Sequence, residues 1–249
     1  TRKFDLGHGQ KPGIHPSAIV DPSAKLGKDV SIGPLTVIEA GAEIGDNAQI
    51  GAQCYVGIDA SLGANAVLRD NISLLARVKI GENFWCHSGA RIGGDGFSFV
   101  TPEKSHVETA RETLGQEVTA DSQSWVRIHS LGSVSIGDNV EVGANTTIDR
   151  GTIRDTKIGN GSKIDNLVQI GHNVQIGKGC VLVAMTGIAG SAVLEDYVVC
   201  AAQCGIAGHI RIGMGAQIGA KAGVIQDVPA GQKVGGTPAV PLKQWLRQH

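Results

Sequence analysis

His172 and Gly190 lie 18 residues apart, in Gln169-Ile170-Gly171-His172-Asn173 and Thr186-Gly187-Ile188-Ala189-Gly190. Side by side, an imidazole and an exposed backbone N–H suit acyl transfer. The ring takes a proton from the attacking nucleophile, and the N–H stabilises the oxyanion of the tetrahedral intermediate. His209 follows His172 by 37 residues and offers a second imidazole to a long substrate. Asp165, Asn166 and Gln169 stand just ahead of His172. Side chains of these types bind sugar hydroxyls, or serve as solvated turn residues. His172 itself reads as a general base or as an ordinary surface or inter-subunit histidine. Spacing alone leaves both readings open.

A six-residue beat brings these positions together. Stepping in sixes from Ile14 to Ile92 meets 14 positions, of which 13 are Ile, Leu or Val and one is Cys86. A second run goes from Ile158 to Val224, and Ile136, Val142 and Ile148 form a short piece in another phase. Internal repeats outrank ordinary helix and strand signals. Six residues suit a short strand and a turn, and three such units make one triangular coil of 18. The large aliphatic points inward on each face. The residue four places later is small, as in Ala42, Ala48, Cys54, Ala60 and Cys204. Gly often follows the beat, as at Gly33, Gly45, Gly159 and Gly177, where it relieves a turn that needs positive φ. Coils stack at roughly 4.8 Å, so the repeat predicts about ten coils and a prism on the order of 45 Å long. Gly190 then lies one coil from His172, roughly 5 Å away, and His209 two coils away, roughly 10 Å. Such hexapeptide prisms are parallel β-helices of left hand, an all-β fold class.

The composition agrees. The chain has 36 Gly and only nine aromatic residues among 249, which fits many turns around a narrow core. A net charge of −1 leaves no electrostatic footprint for nucleic acid. No run approaches the roughly 18 apolar residues of a membrane span, so no membrane insertion is expected. Cys86 and Cys200 sit on the beat, and Cys54, Cys180 and Cys204 on small positions, so all five read as buried core thiols of a reducing compartment.

Three stretches break the beat. Residues 1–13 form an N-terminal extension, and residues 94–131 form a loop excursion rich in charge and Ser/Thr. Excursions from a solenoid often frame a binding site. Four extra residues separate Ile148 from Ile158. The β-helix domain therefore runs over 14–236, and 237–249 reads as a short C-terminal helix. A bare prism has no cleft, and flat-faced prisms pack side by side in symmetric rings, so a trimer is the natural closure.

Several segments go beyond the generic beat. These are Gly93-Gly94-Asp95-Gly96-Phe97, Thr146-Thr147-Ile148-Asp149-Arg150-Gly151, Ile164-Asp165-Asn166, Gln169-Ile170-Gly171-His172-Asn173 and Gly205-Ile206-Ala207-Gly208-His209. Together with Ile14-His15-Pro16-Ser17-Ala18 they resemble the UDP-3-O-(3-hydroxyacyl)glucosamine N-acyltransferases of lipid A biosynthesis, over nearly all of 13–240. The resemblance implies a cytoplasmic enzyme of a Gram-negative bacterium, or a mitochondrial one of a plant. That enzyme moves a 3-hydroxyacyl chain from acyl carrier protein to the 2-amino group of a UDP-sugar. It implies a homotrimer with sites between subunits. It implies no metal and no permanently bound cofactor, the phosphopantetheine riding on the carrier protein. By the same resemblance His172 is the general base, Gly190 the oxyanion-hole glycine and His209 a second active histidine. Asp165, Asn166 and Gln169 are then polar substrate-binding positions. Members of the family begin with a separate α/β domain for the uridine, whereas 13 residues precede the first coil here.

Other readings of the same prism are a UDP-sugar O-acyltransferase, an acetyl-CoA-dependent acetyltransferase, a γ-type carbonic anhydrase and a non-catalytic scaffold. His87, His129, His172 and His209 lack the two-close-plus-one histidine spacing of the carbonic anhydrase. Basic residues towards the C-terminal end, Lys221, Lys233, Lys243 and Arg247, are candidate contacts for an acidic carrier protein.

Overall fold

The computed structural model describes residues 11–105, 108–109, 112–113 and 124–236. The expected C-terminal helix, Lys243 and Arg247, most of the N-terminal extension and the middle of the excursion lie outside the described residues.

The beat closes into a three-sided parallel prism. Its faces are sheets of 11, 10 and 9 strands, which agrees with about ten coils. Nearly every strand is a dipeptide whose second residue is the beat aliphatic, buried inside. Registers advance one coil at a time: Gln169 pairs with Gly187 and Ile170 with Ile188, then Gly187 with Gly205 and Ile188 with Ile206. After the excursion the ladder resumes without loss, with Ile80 beside Ile136, Cys86 beside Val142 and Ile92 beside Ile148. One further strand, Lys233–Val234, pairs with Gln217–Ile218 past the point where the beat ends. All five cysteines are free and buried. Burial pushes the Cys54 thiol up to about 11, so it stays protonated at neutral pH.

Glycine and positive φ part company at the corners. Among the described residues, Gly33, Gly45, Gly159 and Gly177 do not have positive φ. A Cβ on Gly33 would instead fall 2.6 Å from the backbone carbon of Gly51, and one on Gly159 2.5 Å from that of Gly177. The glycine after the beat is there because the next coil's backbone is too close, not because of its dihedral. The left-handed residue is the third after the beat, and it is often Asn: Asn47 (φ 58°), Asn65 (58°), Asn83 (55°) and Asn173 (64°). Asn tolerates this region better than most residues. Here it also stacks, Asn47 Nδ2 donating to Asn65 Oδ1 at 3.2 Å and Asn65 Nδ2 to Asn83 Oδ1 at 3.3 Å.

Leu35 occupies the same kind of corner, with φ 57° and 60% exposure. Its left-handed backbone is strained and its side chain gains little from burial. Leu35→Asn is expected to raise stability by about 0.5–1 kcal/mol, part of the usual left-handed penalty. Urea denaturation of the two proteins checks it; a clear loss of stability would mean that Leu35 makes contacts worth more than its strain.

Candidate active site

His172 sits at the corner after strand Gln169–Ile170, half-buried. The ladder puts Gly190 directly against it. A Cβ on Gly190 would lie 2.6 Å from both Cε1 and Nε2 of His172. The coils are locked there by Ser191 N donating to the His172 carbonyl at 2.8 Å. Gly190 N–H has no hydrogen-bond acceptor among the described residues. A ring nitrogen and an open backbone donor therefore stand together, as the 18-residue spacing required.

A second glycine closes the slot. The excursion leaves strand Arg91–Gly94 and brings Gly96 against the base of the ring, where a Cβ would meet His172 Cβ at 2.7 Å and Cγ and Cδ2 at 3.0 Å. Arg150 staples the neck of this excursion. It is 8% exposed, and burial lowers its pKa. Its Nε donates to Gly93 O at 2.7 Å, its Nη2 to Ala76 O at 2.8 Å and its backbone N to Gly94 O at 2.7 Å. Further out, Phe99–Val100 pairs antiparallel with Val126–Arg127, and the Arg127 guanidinium stacks over Phe99 at 4.6 Å. Phe97 remains 86% exposed beside this hairpin.

Asn173 sets the chemistry of the ring. Its Oδ1 accepts from Thr152 N at 3.1 Å and from Thr152 Oγ1 at 2.9 Å, while its Nδ2 donates to Arg154 O at 3.3 Å. A backbone N–H can only donate and a carbonyl only accept, so the amide has one possible orientation. His172 Nδ1 lies 2.8 Å from that same Oδ1. In the neutral ring Nδ1 therefore carries the proton, and Nε2, on the edge that faces Gly190, keeps its lone pair. The four extra residues after Ile148 have a purpose in this frame: they carry Thr152 and Arg154 to Asn173.

The other expected site residues are placed differently. Gln169 is exposed, with its Nε2 3.2 Å from Asp149 Oδ2 and its Oε1 accepting from Thr147 Oγ1. His209 belongs to the corner column of Asn173 and Ser191 rather than that of His172. Its backbone N donates to Gly190 O at 3.2 Å and its side chain is exposed. Asp165 and Asn166 stand at the preceding corner. Asp165 accepts Asn166 N at 2.7 Å and Ala184 N at 3.0 Å, and Asn166 Oδ1 accepts Ala144 N at 2.6 Å. Their oxygens thus tie coils together. They also line an open concavity of about 460 Å³ with His87, Glu141 and Lys163. No group of three His, Cys, Asp or Glu side chains converges among the described residues. The spacing argument did not reach Gly96, Asn173, Thr152, Asp149 and Arg150, although most of them lie within the segments singled out above.

Comparison with known proteins narrows the class. The bacterial transferase hexapeptide pattern of six repeats matches residues 23–58 and 155–190, and the hexapeptide repeat of succinyl-transferase matches 41–76 and 133–166. A UDP-N-acetylglucosamine acyltransferase from Arabidopsis superposes with a TM-score of 0.76 at 26% identity, over 90% of this chain and 71% of its own. Fold and repeats together define a left-handed β-helix of hexapeptide repeats, and that is the fold class of this chain. Within it, the chain is a relative of the UDP-3-O-acylglucosamine N-acyltransferases. The Ruegeria pomeroyi protein of that name is 62% identical over 141 residues, covering 57% of this chain and 39% of the relative. The Paracoccus denitrificans protein is 45% identical over 191 residues, covering 77% and 52%. The chain thus spans about half or less of these relatives' length.

The Asn173 network gives a direct test. Asn173→Gly keeps the left-handed corner but leaves Thr152 N–H unpaired, which is expected to lower stability by roughly 1–3 kcal/mol. Asn173→Ala adds the left-handed strain and is expected to lose about 1 kcal/mol more. Chemical denaturation of both variants reads the two effects separately. Wild-type stability in Asn173→Gly would show that the amide holds nothing in place.

Proposed function

We propose that the protein transfers a 3-hydroxyacyl chain from a phosphopantetheine thioester on acyl carrier protein to the 2-amino group of a UDP-3-O-acylglucosamine, in lipid A biosynthesis. The observation that carries this reading is the close approach of the Cε1–Nε2 edge of His172 to Gly190, with Nδ1 directed at Asn173 Oδ1. The amine nitrogen attacks the thioester carbonyl, and the C–N bond forms as the carbonyl electrons move onto oxygen. Gly190 N–H faces that oxyanion. Nε2 accepts the proton that the nitrogen sheds. Collapse of the intermediate breaks the C–S bond, and the imidazolium returns the proton to the departing thiolate. The identity of 44–62% to relatives named as N-acyltransferases favours an amine acceptor over a hydroxyl one.

A single prism gives the substrates one wall. In this reading three copies pack side by side and the neighbour supplies the other wall, with His209 along the acyl or sugar path. Asp165, Asn166 and Gln169 then hold the acceptor, and Lys221 and Lys233 meet the acidic carrier protein. No helix among the described residues is long and apolar enough to cross a membrane. The reaction is placed in the bacterial cytoplasm, where charged carrier protein and nucleotide sugar are found together.

His172→Ala is expected to lower kcat by roughly 10²–10⁴-fold, the usual weight of a general base. The variant should keep its oligomeric state and melting temperature, because the ring lies outside the aliphatic core. A single-turnover assay with acyl-carrier-protein and acyl-CoA donors side by side reads both the base and the donor. More than about a tenth of wild-type kcat in the variant would remove His172 from the chemistry. For the assembly, light scattering is expected to give three times 25.7 kDa. A clean monomer at micromolar concentration would sink the shared site.

A further inference from the structure

We infer that Asp149 is the residue that receives the positive charge of the acceptor's 2-ammonium group, and that Gln169 is the positioning residue that aims it. This rests on the acyl-transfer reading above and specifies how that site tells an amine from a hydroxyl. Thr147–Asp149 is the strand alongside Gln169–Ile170, with Thr147 opposite Gln169 and Ile148 opposite Ile170. Asp149 therefore comes level with Gly171, next to His172. On its other side it pairs with Gly94, two residues before the Gly96 that packs on the imidazole. Ile148 points into the core, so Asp149, its strand neighbour, points outward on the same face as Gln169.

The carboxylate is left incomplete. Gln169 Nε2 holds Oδ2 at 3.2 Å, and Oδ1 has no hydrogen-bond partner among the described residues. Asp95, the other carboxylate near this corner, has Arg150 Nε at 4.0 Å, whereas no Lys or Arg lies within 4.0 Å of Asp149 among the described residues. Asp149 is half-buried, and burial raises its pKa above the usual carboxylate range. Gln169 and His172 pull it back down, and Asp95 pushes it up. A partly desolvated carboxylate without a cation is costly to maintain. An ammonium bound there supplies the missing charge and brings its nitrogen beside Nε2 of His172; it first releases one proton to water, which frees the nitrogen lone pair, and the amine then attacks while Nε2 takes the second proton as the C–N bond forms. A hydroxyl in the same place supplies no charge and gains little from Asp149.

Asp149→Asn keeps the shape and the acceptor oxygen for Gln169 while removing the charge. The experiment measures binding of two ligands to full-length wild type and variant by calorimetry without donor: UDP-3-O-acylglucosamine, and its analogue with a 2-hydroxyl in place of the 2-amine. Wild type is expected to bind the amine more tightly than the analogue. Asp149→Asn is expected to weaken the amine about 10- to 100-fold, as for a charged hydrogen bond, and the analogue less than about threefold. The melting temperature should not fall. Equal weakening of both ligands, or no weakening of the amine, overturns the assignment even if the wild type turns over the amino sugar. A wild type that neither binds nor acylates the amino sugar removes the acyl-transfer reading, and this assignment with it.

Discussion

The ladder register of the prism is the constraint on which everything else depends. Backbone N–H groups along the strands reach carbonyls one coil away, so in the regular stretches residues 18 apart are neighbours whatever their side chains. Gly171 N to Ile188 O at 2.9 Å and Ser191 N to His172 O at 2.8 Å are two such rungs, and they bracket the contact of His172 with Gly190. A slip of one residue would turn Ile170 and Ile188 out of the core, so burial of the beat pins the rungs. His172 and Gly190 inherit their mutual geometry from the same aliphatic packing that holds the prism together.

The regular prism supplies position, and its irregularities supply chemistry. A pure hexapeptide repeat would give His172 a flat, solvated surface. Two departures change that. The four extra residues after Ile148 carry Thr152 and Arg154 onto Asn173, which decides where the imidazole proton sits. The excursion after Gly94 lays Gly96 on the ring, and Arg150 fastens its neck to the carbonyls of Gly93 and Ala76. Gly96 and Gly190 are thus glycines for one steric reason: a Cβ at either place would occupy the imidazole's space.

How much of this was legible in the sequence depends on periodicity. Ile14 to Ile92 and Ile158 to Val224 announce the coil, the core and the number of faces, because one residue type recurs at one spacing. The neighbourhood of His172 and Gly190 follows by counting. Counting fails for Gly96 and Thr152, which lie in aperiodic segments whose return path no spacing encodes. It misjudged the glycines after the beat, since crowding by the next coil and a left-handed dihedral favour the same residue. It also could not tell that the oxygens of Asp165 and Asn166 accept backbone N–H groups between coils, since turn and ligand roles use the same side chains.

The central claim is that His172 enters the reaction with its proton on Nδ1 and its lone pair on Nε2, toward Gly190. Long-range ¹H–¹⁵N correlation spectra of the histidine-labelled protein, recorded with the imidazole neutral and assigned through a His172→Gln control, observe this directly. The account predicts a protonated, hydrogen-bonded Nδ1 and an unprotonated Nε2 for that ring. A proton found on Nε2 would contradict it, because neither Asn173 nor Gly190 could then play the part described.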